Sequence, residues 1–346
     1  MMPRSPPALS ASTVTHPIAR HLDDFRRQTR VQATSLIISL FGDAVVPHGG
    51  RIWLGSLIRL LETLGLSERL VRTSAFRLAK DGWLATAAHG RRADYLLTPA
   101  GARRFEEAAR HIYAAHAPLW DRRWRLILVV GELDAKERES LRRALFWQGF
   151  GALDAATFIH PSADLGAAFD ALAAEGHAAL IGKLLPLLAA EARFELSASD
   201  TSLVSRAWNL AALGEAYAGF VAAYLPVLAE LRRDRHAAIA AEDAFLLRTL
   251  LIHDYRRLLL RDPVLPDVLL PADWTGQQAR LLARELYRRL RNPSEAHLEA
   301  HLRLADGTFP PSDPTLSARF PEDDPLSVIS PGLIQAAQPA ESCNHS

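Results

Sequence analysis

The sequence predicts an α+β protein, and three observations predict it. Residues 67–97 read as a helix followed at once by a short, basic β-hairpin. Residues 124–130 form an almost wholly apolar, β-rich run, after which helix and strand patterns alternate. From Leu203 onward apolar residues recur at helical spacing with no further strand pattern. Together these describe an N-terminal winged helix-turn-helix, a middle ferredoxin-like domain and a C-terminal helical domain. A chain of 346 residues, 49% of them apolar, has room for two or three cores.

Residues 1–30 are Pro/Ser/Thr-rich and then charged, and read as a flexible arm leading into a helix. The unit at 31–117 follows. Thr34 to Phe41 fits a first buried helix closed by Gly42-Asp43, and Pro47-His48-Gly49-Gly50 is a turn. Ile52-Trp53-Leu54 is a short extended piece. Gly55-Ser56 opens a second helix with Leu57, Ile58, Leu60, Leu61 and Leu64 inside, and Gly65 ends it. Ser67 suits the N-cap of a third helix, because its hydroxyl can accept an orphan backbone N–H. Val71, Ala75 and Leu78 then fall on one face, at i, i+4 and i+7. Gly82 closes this helix. The hairpin runs Trp83–Thr86, tip His89-Gly90-Arg91-Arg92, and return strand Ala93–Leu97. Thr98-Pro99-Ala100-Gly101 starts a fourth helix that reaches about Ala115.

The middle unit, 118–202, places a central strand at Trp124–Val130 and a helix at Ala135–Trp147. Short strands follow at 149–153 and 157–160, then a helix over about 164–176 and further short strands. This is βαββαβ order. Residues 203–304 predict helices at Leu203–Leu225, Ala240–Arg261 and Gly276–Arg291, punctuated by Asp262-Pro263 and Leu270-Pro271. Residues 305–346 lack periodicity and read as a disordered tail.

Charge is unevenly shared. Residues 1–115 hold 16 Lys/Arg against 9 Asp/Glu, whereas the remainder holds 24 against 30. A basic head on an acidic body suits a chain that meets phosphates with one domain. A major groove admits one helix, whose outer side chains reach base edges and phosphates. Arg69, Arg72, Thr73 and Arg77 lie off the apolar stripe and are the candidate DNA contacts. One of these arginines is expected to pair with Glu68 or Asp81 instead. At the hairpin tip, His89, Arg91 and Arg92 are the candidate backbone or minor-groove contacts. The partner implied is double-stranded DNA.

Other classes find less support. The single cysteine, Cys343, allows no internal disulfide and suits a reducing, cytoplasmic setting. Met1–Thr15 has no apolar signal core, and no uncharged apolar run is long enough for a membrane span. His253-Asp254 are adjacent on a helix and point apart, so a structural hydrogen-bond cluster is expected rather than a catalytic pair. His297 and His301 have i, i+4 spacing but no third ligand, and read as exposed histidines near a helix end. Gly182-Lys183 lacks the rest of a phosphate loop. An enzyme on the middle domain would need a carboxylate set. Glu132 and Asp134 follow the first strand there without a matched partner. No catalytic residue, metal site or cofactor is predicted.

Several stretches resemble the PaaX family, repressors of phenylacetate-degradation operons. They are residues 35–43, 49–57, Glu68–Thr73, Arg77-Leu78 and Asp81–Leu84, then Gly149-Phe150-Gly151, Leu251–Arg257, Arg261–Pro266 and Leu269–Trp274 with Gly276. The resemblance covers about residues 30–300. It implies a homodimeric transcriptional repressor that leaves its operator on binding phenylacetyl-coenzyme A. On that footing Arg256, Arg257 and Arg261 become candidates for coenzyme A phosphates, and Tyr255 and Trp274 for an aromatic acyl group. The alternative is a PaaX-like regulator of another pathway that answers a different acyl-coenzyme A.

Overall fold

The computed structural model describes residues 16–28, 32–190, 199–233, 239–311 and 319–320. The expected arm before residue 16 and the expected tail from residue 321 lie outside them.

Helix α1 (Pro17–Arg26) begins within the segment read as an arm. Proline at its first position gives up an N–H that would be unpaired anyway. Ile18, Leu22 and Phe25, at i, i+4 and i+7, are buried, so core contact orders it. Helix α2 (Ala33–Leu40) is largely apolar and mostly buried, and it widens into a π-turn and then tightens into a 3-10 turn, which carry Asp43 and His48 inward. Strand β1 (Arg51–Trp53), helix α3 (Leu54–Glu62) and helix α4 (Glu68–Lys80) follow. Ser67 caps α4 by accepting from Leu70 N at 3.4 Å. Strands β2 (Leu84–His89) and β3 (Arg92–Leu97) form the hairpin, and β1 adds to β3, giving an antiparallel sheet ordered β1-β3-β2. Helix α5 (Pro99–Ile112) is capped by Thr98, which accepts from Gly101 N at 2.9 Å.

The middle unit comprises β4 (Arg123–Val129), α6 (Ala135–Trp147), β5 (Gly151–Ala152), β6 (Thr157–His160), α7 (Leu165–Leu172), α8 (Ala178–Ile181) and β7 (Leu184–Ala190). Its antiparallel sheet is ordered β5-β6-β4-β7. With the first strand central and the last at an edge, this is the βαββαβ arrangement expected. Asp134 and Glu137 form a capping box at the start of α6, which is how the structure uses the carboxylate that follows the first strand.

Helices α9 (Asp200–Ala207), α10 (Leu210–Arg233), α11 (Ala241–Leu259) and α12 (Thr275–His301) complete the chain. The expected helix Leu203–Leu225 is broken at Trp208-Asn209. Trp208 adopts extended backbone, its Nε1 donates to Gly149 O at 3.0 Å, and Asn209 accepts from Ala212 N to start α10 afresh. Both α10 and α12 run past an internal proline, Pro226 and Pro293, because packing on their neighbours outweighs one missing hydrogen bond. Helix α10 is long and apolar enough to cross a membrane. Here Leu213, Tyr217, Phe220, Tyr224, Val227 and Leu228 face the core, where α10 packs on α12.

One hydrophobic core runs through α1–α5 and on through α10–α12. The middle unit has its own core, and a small third cluster, with Trp124, Trp208 and Leu265, joins it to the rest. The first and third sequence blocks therefore share a core. Arg319 and Phe320, inside the stretch read as a tail, are buried in it against Tyr113.

Candidate nucleic-acid interface

Helix α4 has two faces. Val71, Ser74, Ala75 and Leu78 are buried against the head, and Arg69, Arg72, Thr73, Phe76, Arg77 and Lys80 are all exposed. Those six occur at i, i+3, i+4, i+7, i+8 and i+11, which is one continuous stripe. All four residues anticipated on this helix lie on it. Arg72 Nη2 lies 2.6 Å from Glu68 Oε1, the pairing expected of one arginine. Thr73 Oγ1 donates to Arg69 O at 2.8 Å, which leaves its lone pairs to accept from outside the helix. Phe76 and Lys80 were not anticipated. The period that puts Val71, Ala75 and Leu78 inside already places both outside.

The hairpin beside α4 turns more tightly than expected. His89 pairs with Arg92 in the ladder, so only Gly90 and Arg91 form the tip. Gly90 has φ +57°, a conformation that glycine adopts without a Cβ clash. His89 and Arg91 are exposed. Arg92 is exposed as well and is also held by the fold: its guanidinium lies 4.7 Å from the Trp53 ring centroid, and Nη1 donates to Ala305 O at 3.2 Å. The stretch after α12 braces the hairpin further. Asp94 is buried, accepts from Ala305 N at 2.7 Å and pairs with Arg51 at 2.6 Å, while Trp53 N donates to Arg303 O at 2.9 Å.

Matches to known proteins cover most of this architecture. Residues 32–101 match the family model described as PaaX-like protein, 117–182 the PaaX protein central Cas2-like domain, and 208–300 the PaaX-like protein C-terminal domain. Transcriptional repressor PaaX of Escherichia coli (strain K12) is 38% identical over 293 residues, 84% of this chain and 90% of that protein. The chain belongs to the PaaX family. PaaX-family proteins are transcriptional regulators and not enzymes, in keeping with a sequence that offered no catalytic set. Uncharacterized protein Rv0674 from Mycobacterium tuberculosis shares the fold, with a TM-score of 0.50 at 24% identity over 76% of this chain and 97% of that one.

In this PaaX-family chain three of the five residues considered for an effector are packed into the body and two are exposed. Tyr255 is buried, 5.7 Å by ring centroid from Phe220, and burial pushes its hydroxyl up to about 12. Trp274 is buried beside Tyr217, and Gly276 lies so close to it that a Cβ there would meet the indole at 2.3 Å. Arg256 reaches back to α2, donating to Ser39 Oγ at 3.0 Å and Ser35 Oγ at 2.6 Å. These three hold the body together; Arg257 and Arg261 are exposed.

The adjacent His253 and Asp254 do point apart. His253 Nδ1 lies 3.1 Å from Ser39 Oγ, and Asp254 accepts from Tyr224 at 2.9 Å. His297 corrects an expectation of exposure: it is buried and stacked on Phe245 at 4.8 Å, because α12 packs on α11 there. Among the described residues no group of three or more His, Cys, Asp or Glu is placed to hold a metal.

Proposed function

We propose that this chain is a DNA-binding transcriptional repressor of an aromatic-acid, phenylacetate, catabolic operon. In this reading α2–α4 with the β2–β3 hairpin act as a winged helix-turn-helix. Helix α4 enters the major groove, and Arg91 and His89 lie along the neighbouring backbone. The observation that carries it is the exposed cationic stripe on α4, beside a glycine-turned basic hairpin, in a chain 38% identical to a transcriptional repressor. A homodimer would present two such helices to a palindromic operator, with half-sites about one helical turn or a multiple apart.

Release by phenylacetyl-coenzyme A completes the proposal. The thioester must favour a state whose two heads no longer match the operator spacing, which requires different affinities for the two states. Arg257 and Arg261, exposed past the core residues of α11, are the candidates left to meet its phosphates.

The test is a mobility-shift titration with the full chain and duplexes that it selects from a randomised pool. Phenylacetyl-coenzyme A should free the DNA, and free phenylacetate or coenzyme A alone should not. Equal action of free phenylacetate, or no action of any thioester, would overturn the effector assignment. Release by a different acyl-coenzyme A alone would move the chain to another pathway.

A further inference from the structure

The side chain at the middle of the α4 stripe is not charged. Phe76 is 66% exposed, the most exposed phenylalanine or tyrosine among the described residues. Along the helix it is flanked by Arg72 and Thr73 on the turn before, by Arg77 beside it and by Lys80 on the turn after. That setting restricts what can cover the ring. An apolar protein surface that closed over Phe76 would have to desolvate the cations around it, at a cost of several kcal/mol per unpaired charge. The surface that suits it is anionic at its rim and carries a small apolar group on its floor. The major groove of DNA has that form: phosphates line its edges, and each thymine presents a C5 methyl group to an entering helix.

We propose that Phe76 reads a thymine, its ring packing on the C5 methyl group of one thymine in each half-site. The inference rests on α4 being the recognition helix, and it goes further by assigning a base preference to one residue. The arginines and Lys80 would set position and affinity through phosphates and guanine edges. Phe76 would then discriminate thymine from the other bases by an apolar contact that needs no hydrogen bond.

The experiment uses the full chain and the duplex that the wild type selects from a randomised pool. Each thymine is replaced in turn by deoxyuridine, which removes the C5 methyl group alone. At one position per half-site the replacement should weaken wild-type binding about fourfold, the factor that burying one methyl-sized group is worth. Phe76→Ala should bind the parent duplex weakly and be indifferent to deoxyuridine at that same position, with its thermal midpoint unchanged. Phe76→Ala with wild-type affinity, or with the wild-type response to every deoxyuridine, overturns the proposal. So does a uniform loss on all duplexes together with a lower mass in sedimentation, which would assign Phe76 to an interface between copies. Arg77→Ala separates this proposal from the reading beneath it. Full affinity in Arg77→Ala removes α4 from the DNA and both fall; weakened Arg77→Ala beside unaffected Phe76→Ala removes the thymine contact alone.

Discussion

Arg248 Nε lies 2.7 Å from Asp43 Oδ2, and both side chains are almost fully buried. One belongs to α11 of the body and the other to the turn after α2 in the head. Arg248 also pairs with Glu295 at 2.5 Å and donates to the Tyr287 hydroxyl at 3.2 Å. Asp43 also accepts from the Tyr113 hydroxyl at 2.7 Å and pairs with Arg319 at 3.2 Å. With Arg256 tied to Ser35 and Ser39, the α2 helix is held to α11 at two separate points. The head therefore cannot swivel freely on the body, and any change of head spacing in a dimer must move these helices together.

Removing one partner from this cluster should be costly, because it strands charge in a dry interior. Asp43→Ala leaves Arg319 and one side of Arg248 without their carboxylate. The expected loss is about 3–5 kcal/mol, read by urea unfolding. Arg248→Met should lose a similar amount, since Asp43 and Glu295 both lose the buried cation that they share. A loss under about 1 kcal/mol in both would mean that water reaches the cluster and that the weld is weak.

The Glu68–Arg72 pair is different in kind. Both side chains are more than half exposed, so the pair adds little to stability. Arg72→Ala should shift the thermal midpoint by no more than about two degrees. It should weaken DNA binding and lower the salt slope by about one for each phosphate that the variant no longer neutralises. Glu68→Gln should tighten binding, because it frees Arg72 and removes a carboxylate facing phosphates. Unchanged binding in both variants would place this turn of α4 away from the duplex.

Two neighbouring arginines of the hairpin should separate cleanly. Arg91→Ala removes an exposed tip charge, so DNA affinity should fall while the melting curve stays put. Arg92→Ala removes the stack on Trp53 and the hydrogen bond to Ala305 O, so it should destabilise the chain by about 1 kcal/mol. The check is a thermal melt beside a binding isotherm for each variant. Equal melting loss in both would contradict the division of labour.

That division shows where the sequence was legible. Helix α4, its Ser67 cap and the hairpin follow from local rules of capping, period and glycine turns, and the structure places their ends within one to three residues of expectation. The βαββαβ order was legible for the same reason. Long-range partners were not. Nothing local says that Arg92 stacks on Trp53, that Tyr255 and Trp274 lie inward, or that Arg319 returns to Asp43 across the chain. A motif of Arg, Tyr and Trp reads alike whether it lines a pocket or fills a core, so the burial of Tyr255 and Trp274 was not legible either.

Two buried histidines give the chain a defined acid sensitivity. Burial lowers His160 to about 4, helped by Arg125, against the pull of the Pro263 carbonyl. Its Nδ1 accepts from Ser162 N at 3.0 Å and Ala163 N at 2.7 Å, so a proton there would face two donors. Burial with Arg256 and Arg257 lowers His253 to about 3. Above pH 6.5 both are neutral in folded and unfolded chains, and their contribution is fully present. As pH falls below 6.5 the unfolded imidazoles take up protons and the folded ones do not. Stability then falls, at about 1.4 kcal/mol per pH unit for each histidine, towards pH 4 for His160 and pH 3 for His253. His48 does not mask this. Burial lowers it, but Glu295 and the Ala44 carbonyl raise it more, so its share is complete below 6.5 and fades only as pH rises. Urea unfolding between pH 6.5 and 5.5 should show the slope, and His160→Asn, whose amide oxygen can replace Nδ1 as acceptor, should remove the His160 share and leave those of His253, His21 and His297, which burial also lowers. A flat profile in the wild type would mean that both imidazoles protonate freely in the folded chain.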